Sequence, residues 1–171
     1  IHYLLLQAMQ RYFIEVMYDG RAFHGSQVQG QTPTVQLAIN NALSTLLRTS
    51  IESFGASRTD EGVHALCNYY HFDFEAALHP HFHYKLNAIL PHEIAVNKIF
   101  LAIGADANAR FDALSRSYRY KVYSTKNPFD KGLAYYFPLP LDMEILQETA
   151  ALIKEYKDFE SFSKRNTQAY T

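Results

Sequence analysis

Residues 11–18 read RYFIEVMY, and this stretch decides the fold because every second side chain suits a protein core. Its even-numbered positions hold only tyrosine, isoleucine and valine, and they share one face by the two-residue period of a strand. The odd-numbered positions include Arg11 and Glu15, which suit a more polar face. The pattern predicts a half-buried strand over residues 11–18.

The next segments predict the rest of one sheet-and-helix unit. Thr32-Pro33-Thr34 predicts an N-cap and a first-turn proline for a helix that runs to Arg48. A second helix begins at Pro80 and ends before Pro91. Further strands are predicted at 51–54, 67–74 and 94–102. The order strand, helix, strand, strand, helix, strand predicts a ferredoxin-like unit of the α+β class, with both helices on one face of a four-stranded antiparallel sheet.

After Gly104 the pattern starts again. Strands are predicted at 116–123 and 133–137, and Asp142 is placed to cap a helix. The chain then ends one helix and about one strand short of a second unit. We therefore expect three parts, namely an N-terminal extension at 1–8, a first domain at 9–105 and a truncated second domain at 106–171.

The composition describes an ordinary globular protein. Of the 171 residues, 48% are apolar and 19% are charged, which is enough for a core and argues against disorder. The single Cys67 excludes an internal disulfide, and its place in an alternating run predicts a buried small side chain. The apolar segment 1–6 is too short for a signal peptide, and no run reaches the length of a membrane span. We expect a cytoplasmic protein.

Residues 54–65 read FGASRTDEGVHA and carry the chemistry. Gly55 and Gly62 can adopt a positive φ, so the segment is predicted to form a tight loop after a strand. Arg58 stands two residues before Asp60, whose carboxylate can act as a nucleophile or as a general base. An isolated Arg-x-Asp is more often a surface ion pair of little energetic weight. The neighbouring motifs decide between these interpretations.

The loop resembles the active-site loop of the tRNA pseudouridine synthase A family, which reads G-R-T-D-x-G-V-H-A. Residues 18–29, YDGRAFHGSQVQ, resemble the family's opening motif Y-D-G-x-x-[YF]-x-G-W-Q-x-Q. Residues 109–120, ARFDALSRSYRY, resemble its second motif A-R-F-x-A-x-x-R-x-Y-x-Y. The matches keep the family order from residue 9 to about 165, and together they are specific.

The resemblance implies a tRNA pseudouridine synthase that isomerises uridines in the anticodon stem-loop of tRNA, at family positions 38–40. It implies Asp60 as the nucleophile and Tyr118 in the cleft, where the ring stacks on uracil, while Tyr120 is expected in the core. It further implies two ferredoxin-like units with sheets joined side by side, an active cleft between them, and a homodimer in which one tRNA contacts both subunits. No cofactor, metal or nucleotide is implied. The implied RNA-binding residues are Arg58, Arg110, Arg116 and Arg119.

The charge distribution bears on RNA binding. The net charge of −1 is unfavourable for contacts to phosphate, but residues 110–131 contain six basic and two acidic side chains. By itself this cluster indicates a solvated strand face. Together with the loop it favours an RNA-facing surface.

The chain also departs from the family. Ser26 replaces a tryptophan, Ser57 replaces a glycine, and Glu61 places a second carboxylate beside Asp60. The family's last motif, Phe-Leu-x-x-x-Val-Arg, has no counterpart. A non-catalytic RNA-binding module of the same fold is therefore the alternative function. A paired-carboxylate hydrolase is disfavoured, because adjacent residues rarely face one bond from opposite sides.

Three histidines, at positions 79, 81 and 83, alternate along the sequence. Imidazole is a common zinc ligand, but Pro80 and the helix after it turn these side chains around a helix start. No cysteine lies near them in sequence, so a solvated helix entry is the favoured interpretation.

Overall fold

The computed structural model describes residues 9–104 and 106–162. The predicted extension at 1–8 and the last residues of the predicted second domain lie outside the described residues. The chain divides into two compact units, one that ends at Tyr118 and one that begins at Arg119.

The first unit has the predicted order of elements. Its strands form one sheet in the order β2-β3-β1-β4, and every neighbouring pair is antiparallel. The predicted α+β class with a four-stranded antiparallel sheet is confirmed, and this connectivity is compatible with a ferredoxin-like unit. The elements are β1 (Gln10–Tyr18), α1 (Val35–Leu47), β2 (Phe54–Gly55), β3 (Ala65–Phe74), α2 (Phe82–Ile89) and β4 (Ile94–Leu101).

The core of this unit follows from the strand period. In the central strand β1, Ile14 pairs with Tyr70 of β3 and with Ile99 of β4, so these side chains share one face. The apolar side of α1 covers that face, with Ile39 and Leu43 fully buried. The alternation at residues 12–18 therefore sets which face of the sheet the helices cover.

The start of α1 differs from the prediction. The N-cap is Thr34, whose Oγ1 accepts a hydrogen bond from the Leu37 N–H (3.3 Å), and Pro33 precedes the helix instead of lying in its first turn. Both Thr32 and Thr34 can cap a helix, so the sequence alone did not separate them. The helix ends at Leu47, one residue before the predicted Arg48.

The strand predicted at 51–54 is shorter and later than expected. Only Phe54–Gly55 pairs with β3, because side chains of α1 hold the backbone before it. Ser44 Oγ accepts from the Ile51 N–H and Asn40 Oδ1 accepts from the Ser53 N–H, each at 2.9 Å. The N–H groups of Ile51 and Ser53 therefore bond to side chains of α1 and not to a neighbouring strand.

The prediction of a buried Cys67 is wrong, because this side chain is exposed. In β3 the inward positions are the even-numbered ones, where Asn68, Tyr70 and Phe72 are buried. Cys67 belongs to the opposite parity, so the alternation that predicted its burial instead places it on the other face.

The second unit contains little regular pairing. Two short strands, β5 (Val122–Tyr123) and β6 (Tyr135–Tyr136), pair in parallel, and α3 (Met143–Ile153) follows the predicted cap, with Asp142 Oδ1 accepting from the N–H groups of Glu144 and Ile145. The strand predicted at 116–123 is reduced to its last two residues, because no other part of it finds a partner strand within the described chain. Tyr120 is 80% exposed, so its predicted place in the core is wrong.

None of the helices formed by the described residues combines the length and the apolar character that crossing a membrane requires.

Candidate active site

The loop that follows β2 is anchored at its beginning by Asn68. The Ser57 N–H donates to Asn68 Oδ1 (3.2 Å), and Asn68 Nδ2 donates to the Ser57 carbonyl (3.1 Å). Because Asn68 lies on β3 and is buried, its amide holds Ser57 against the sheet two residues beyond the end of β2. The loop therefore leaves the sheet at a fixed point.

The next anchor holds Thr59 by all of its polar groups. Ser26 N–H donates to the Thr59 carbonyl (2.9 Å), and the Thr59 N–H donates to Ser26 Oγ (2.7 Å). The Thr59 hydroxyl lies 2.9 Å from the hydroxyl of Tyr18. Thr59 thus faces inward, whereas its neighbours Arg58 and Asp60 are both exposed. This arrangement presents the arginine and the carboxylate on the outer side of the loop.

The end of the loop packs on the turn after β1. The Gly20 N–H donates to His64 Nδ1 (3.3 Å). His64 Nδ1 also lies 3.2 Å from Asp19 Oδ1. A Cβ at Gly20 would overlap the Val63 carbonyl oxygen, so the close approach requires glycine. Hydrogen bonds from the Arg21 guanidinium lower the pKa of Asp19 to about 2, which keeps this carboxylate ionised. His64 thus joins the end of the loop to the turn after β1.

Asp60 itself begins a tight turn. Its carbonyl accepts from the Val63 N–H (3.2 Å), and Gly62 supplies a positive φ of 76°. The Asp60 side chain is exposed and has no hydrogen bond or ion pair to a described residue. The adjacent Glu61 turns elsewhere, since its Oε1 lies 3.4 Å from His24 Nδ1. The two neighbouring carboxylates therefore have different environments, which fits a single nucleophile better than a carboxylate pair.

A second segment, residues 106–118, runs beside this loop as part of the first unit. His71 Nδ1 accepts from the Ala109 N–H (3.1 Å), and Arg11 Nη1 donates to the Ala107 carbonyl (2.9 Å). Burial lowers the pKa of His71, which favours the unprotonated nitrogen that this acceptor role requires. These bonds fix the segment against the sheet.

At its end, this segment places Tyr118 next to the loop. The Tyr118 hydroxyl lies 3.2 Å from Ser57 Oγ, although 61 residues separate them in sequence. The side chain is 73% exposed, so its ring face is free to stack on a ligand. Arg116 reaches back to the loop, where its guanidinium donates to the carbonyls of Ala56 (2.8 and 3.0 Å) and Arg110 (2.6 Å).

Arg58 and Arg110 line a pocket of about 140 Å³ next to the loop. The guanidinium of Arg110 also lies 5.4 Å from the ring centre of Phe111, a cation–π contact. The structure thus places Arg58 and Arg110 in one pocket and joins the loop to Arg116 and Tyr118 by hydrogen bonds, whereas no contact of the Asp60 side chain to a described residue is formed and Arg119 is exposed in the second unit. The pocket is lined by Ser26, Gln27, Gln36, Phe54, Gly55, Ser57, Arg58, Tyr70, Asn108, Arg110 and Phe111.

The three histidines at positions 79, 81 and 83 lie around the start of α2. His79 Nδ1 accepts from the His81 N–H, the His79 and His81 rings lie 5.5 Å apart, and His83 Nε2 bonds the Val96 carbonyl (2.7 Å). Among residues 9–104 and 106–162, no three histidine, cysteine or acidic side chains are placed to share a metal ion.

Sequence reasoning missed the residues that hold the site. Ser26 and Asn68 shape the loop, and Tyr70 lines the pocket. The parity of β3 places Asn68 and Tyr70 at inward positions, where a side chain with hydrogen-bonding groups needs a partner. That parity is the feature that could have revealed both residues.

Several known proteins are similar to the chain over most of its length. It is 44% identical over 165 residues to the tRNA pseudouridine synthase A of Parabacteroides distasonis, which covers 95% of this chain and 65% of that protein. The tRNA pseudouridine synthase A of Bacteroides thetaiotaomicron is 44% identical over 164 residues, or 95% of this chain and 61% of that protein. The tRNA pseudouridine synthase A of Staphylococcus aureus is 34% identical over 161 residues, which is 92% of this chain and 60% of that protein. No protein-family model matches the chain. The chain spans somewhat less than two thirds of the length of these curated relatives.

Proposed function

We propose that this chain, which belongs to the tRNA pseudouridine synthase A family, carries the nucleophile of an enzyme that isomerises uridine to pseudouridine in tRNA. The single observation that supports this most strongly is the loop at residues 57–60. Thr59 is held inward by all of its polar groups, while Arg58 and Asp60 face outward without a partner among the described residues. A carboxylate presented in this way is available to a substrate.

In the proposed reaction, Asp60 attacks the target uridine and the bond between the ribose and N1 of uracil breaks. The freed uracil turns, a bond forms between the ribose and C5, and the bond that Asp60 made to the uridine breaks, which regenerates the carboxylate. C5 then loses its proton and N1 carries one, so uridine and pseudouridine have the same atoms. The reaction is therefore balanced without water, a redox partner or a group donor.

The other predicted residues have roles that match their positions. The exposed ring of Tyr118 stacks on the extruded uracil, and its hydroxyl assists proton movement. The planar guanidinium of Arg58 fills the gap left by the flipped base and contacts phosphate. Arg110 and Arg119 bind the RNA backbone. Arg116 contributes charge to the same surface and, through its bonds to Ala56 and Arg110, holds the two segments together.

We further propose the substrate and the assembly that the family resemblance implies. The substrate is the anticodon stem-loop of tRNA, and the protein acts in the cytoplasm as a homodimer. The domains are those predicted, 9–105 and 106–171, with an active cleft between two ferredoxin-like units. These proposals rest on the resemblance and on the names of the similar proteins.

The direct test is release of tritium from tRNA whose uracils carry tritium at C5, because the isomerisation removes that hydrogen. We expect release by the full-length protein, with no added nucleotide or metal. Nearest-neighbour analysis of the product then locates the modified uridine. Tight tRNA binding without tritium release would contradict the proposal and support the non-catalytic RNA-binding module instead.

A further inference from the structure

Tyr18 connects the core of the first unit to the loop that carries Asp60. It is the last residue of β1 and is 4% exposed, so its hydroxyl needs partners within the protein. The hydroxyl lies 2.9 Å from Thr59 Oγ1, and Asn68 Nδ2 donates to it (3.4 Å). Because Asn68 already supplies a proton to the Tyr18 oxygen, the arrangement that gives the buried Tyr18 proton an acceptor has Tyr18 donating to Thr59 Oγ1.

The backbone around Tyr18 is paired on both sides. Tyr18 pairs with Ala65 of β3 and with Ile94 of β4. From Val16 to Tyr18 the pairing advances two residues along β1 but three along β3, from Asn68 to Ala65, which makes a bulge. Bulges change the direction of nearby side chains and are common beside active sites. The central strand of the sheet therefore presents the Tyr18 hydroxyl to the loop from a fixed position.

The bond from Tyr18 supplies a restraint that the other bonds to Thr59 lack. The N–H and the carbonyl of Thr59 both bond to Ser26, so these two bonds hold the residue along one line. A residue held along one line can still rotate about it, and a third bond in another direction prevents that rotation. The bond at Thr59 Oγ1 is this third bond. Since Asp60 follows Thr59 directly, the rotation would also displace the Asp60 carboxylate.

The same hydroxyl is connected through Asn68 to the segment that carries Tyr118. Asn68 Nδ2 also donates to the Ser57 carbonyl (3.1 Å), and Ser57 Oγ lies 3.2 Å from the Tyr118 hydroxyl. The hydrogen bonds of Tyr18 thus extend to both residues to which the proposed function gives a part in the chemistry. Tyr18 is therefore placed to set their relative positions.

Placement of this kind affects rate more than binding. A nucleophile must lie close to the atom that it attacks, and a displacement of about 1 Å caused far from the chemistry can cost about a hundredfold in rate. Binding of RNA through exposed arginines is less sensitive, because their long side chains have many rotamers and can adjust.

Resting on the proposed function, we propose that Tyr18 is a positioning residue for the isomerisation. Its hydroxyl fixes the rotation of Thr59 and thereby holds the Asp60 carboxylate where the target uridine binds. Tyr18 is buried, so it acts through the loop without contacting RNA.

Tyr18→Phe tests this role, because it removes the hydroxyl and keeps the ring in the core. With the full-length protein, the single-turnover rate at saturating tRNA should fall about tenfold, the scale of one lost hydrogen bond, while affinity for tRNA stays within about twofold. Tritium release and binding isotherms measure the two quantities. An unchanged rate, or a loss that appears only in affinity, would overturn the proposal.

Tyr12→Phe is the matched control. Tyr12 lies on the same strand and the same face and is also buried, but its hydroxyl bonds Gln10 Oε1 and the Ala76 carbonyl (3.1 Å), neither of which belongs to the loop. Both variants should lower the melting temperature, since each loses buried hydrogen bonds, but Tyr12→Phe should keep the wild-type rate. Equal losses of rate in the two variants would trace the effect of Tyr18→Phe to stability and contradict a positioning role.

A double-mutant cycle identifies the bond. Thr59→Val removes the side-chain hydroxyl and leaves the backbone bonds to Ser26, so it should reduce the rate by a similar factor. The double variant Tyr18→Phe/Thr59→Val should lose no more than either single variant, because all three remove the same bond. Thr59→Ser keeps a hydroxyl and should lose less than Thr59→Val. Losses that multiply in the double variant would show that the two hydroxyls act separately, against the proposal.

Hydrogen exchange distinguishes this inference from the proposed function. The Thr59 N–H is bonded to Ser26 Oγ, so its exchange rate reports how firmly the loop is held. Exchange should be about tenfold faster in Tyr18→Phe than in the wild type and unchanged in Tyr12→Phe, whether or not the protein releases tritium. Absence of tritium release by the wild type would contradict the proposed function. If the wild type releases tritium and Tyr18→Phe changes neither exchange nor rate, then only the role of Tyr18 has failed.

Discussion

The two units have similar apolar patterns, but only in the first unit are the apolar side chains buried. In the first unit, the apolar faces of β1 and α1 are covered, and Ile14, Ile39 and Leu43 are fully buried. In the second unit, α3 has an equally apolar pattern and a well-formed cap, but no residue of α3 is buried in the described structure. A periodic sequence thus specifies an element and its face, whereas burial requires a partner element.

The same contrast separates the parts of the proposed site. Arg58, Asp60 and Tyr118 belong to the first unit and rest on a complete sheet, whereas Arg119 belongs to the second. We therefore expect the residues that need precise placement to lie in the first unit, where the sheet is complete. A residue that supplies only charge can lie in the second unit, where few side chains are buried. The following predictions test this difference, in order of decreasing expected effect.

Asp60→Asn should reduce turnover by at least about a thousandfold, because the amide keeps the shape of the side chain but loses the nucleophilic charge. The side chain is exposed and has no bond to a described residue, so folding and RNA binding should be unchanged. Tritium release, circular dichroism and RNA affinity measure the three properties. A variant with a substantial part of the wild-type rate would exclude the nucleophile and favour the binding module.

Leu43→Ala should destabilise the protein by about 2–5 kcal/mol, because it leaves a cavity in the core of the first unit. The matched change in the second unit, Leu146→Ala, should cost less than about 0.5 kcal/mol, since Leu146 is 46% exposed. Urea denaturation of both variants measures the difference. Equal losses would show that another surface covers α3 in solution, and the contrast between the units would fail.

Tyr118→Phe should reduce turnover by about a hundredfold, the usual scale of a lost proton-transfer group, and should leave tRNA affinity nearly unchanged because the stacking ring is retained. Tyr120→Phe is the control, since Tyr120 lies in the second unit. Single-turnover rates and binding isotherms separate the two effects. If Tyr120→Phe instead shows the loss of turnover, the assignment of the two tyrosines is wrong.

Affinity for tRNA should fall steeply with salt, and Arg119→Glu should flatten the slope of log K against log salt by about one unit per lost phosphate contact. Arg116→Glu should flatten it too, but it should also lower stability, because Arg116 bonds the carbonyls of Ala56 and Arg110. Binding that is insensitive to salt would contradict a phosphate-binding surface. Equal stability of the two variants would contradict the structural role of Arg116.

Asp19→Asn should lower stability modestly at neutral pH and have less effect near pH 2. The pKa of Asp19 is lowered to about 2 in the folded protein, so its stabilising contribution is complete above the ordinary range near pH 4 and is lost as the pH falls towards 2. Comparing wild type and variant in urea at pH 7 and at pH 2.5 measures the change. A larger loss of stability in Asp19→Asn at pH 2.5 than at pH 7 would contradict this prediction.

The sequence predicted the first unit well because its strand and helix patterns are strong and each of its strands has a partner strand within the unit. The loop and the segment that carries Tyr118 meet at Ser57, whereas the roles of Arg58, Asp60 and Tyr118 stay predictions from the resemblance. The strand at 116–123 could not be settled in this way. Its alternation is as regular as that of β1, but pairing depends on another strand, and only Val122–Tyr123 has one.

The supports of the site were beyond sequence reasoning for a different reason. Whether Ser26 bonds to Thr59, or Asn68 to Ser57, depends on two loops meeting in space. The residue types are compatible with many partners, so their roles follow only from coordinates.

The bonds between Ser26 and Thr59 also constrain the order of folding. They join residues 33 positions apart, and the segment they enclose contains α1 and β2. Closing a loop of this length costs entropy that must be repaid by contacts formed elsewhere, and here the pairing of β1 with β3 supplies them. A chain emerging from the ribosome therefore cannot shape this loop until residue 74, the end of β3, has left the exit tunnel, and appearance of the site reports that the central sheet has formed.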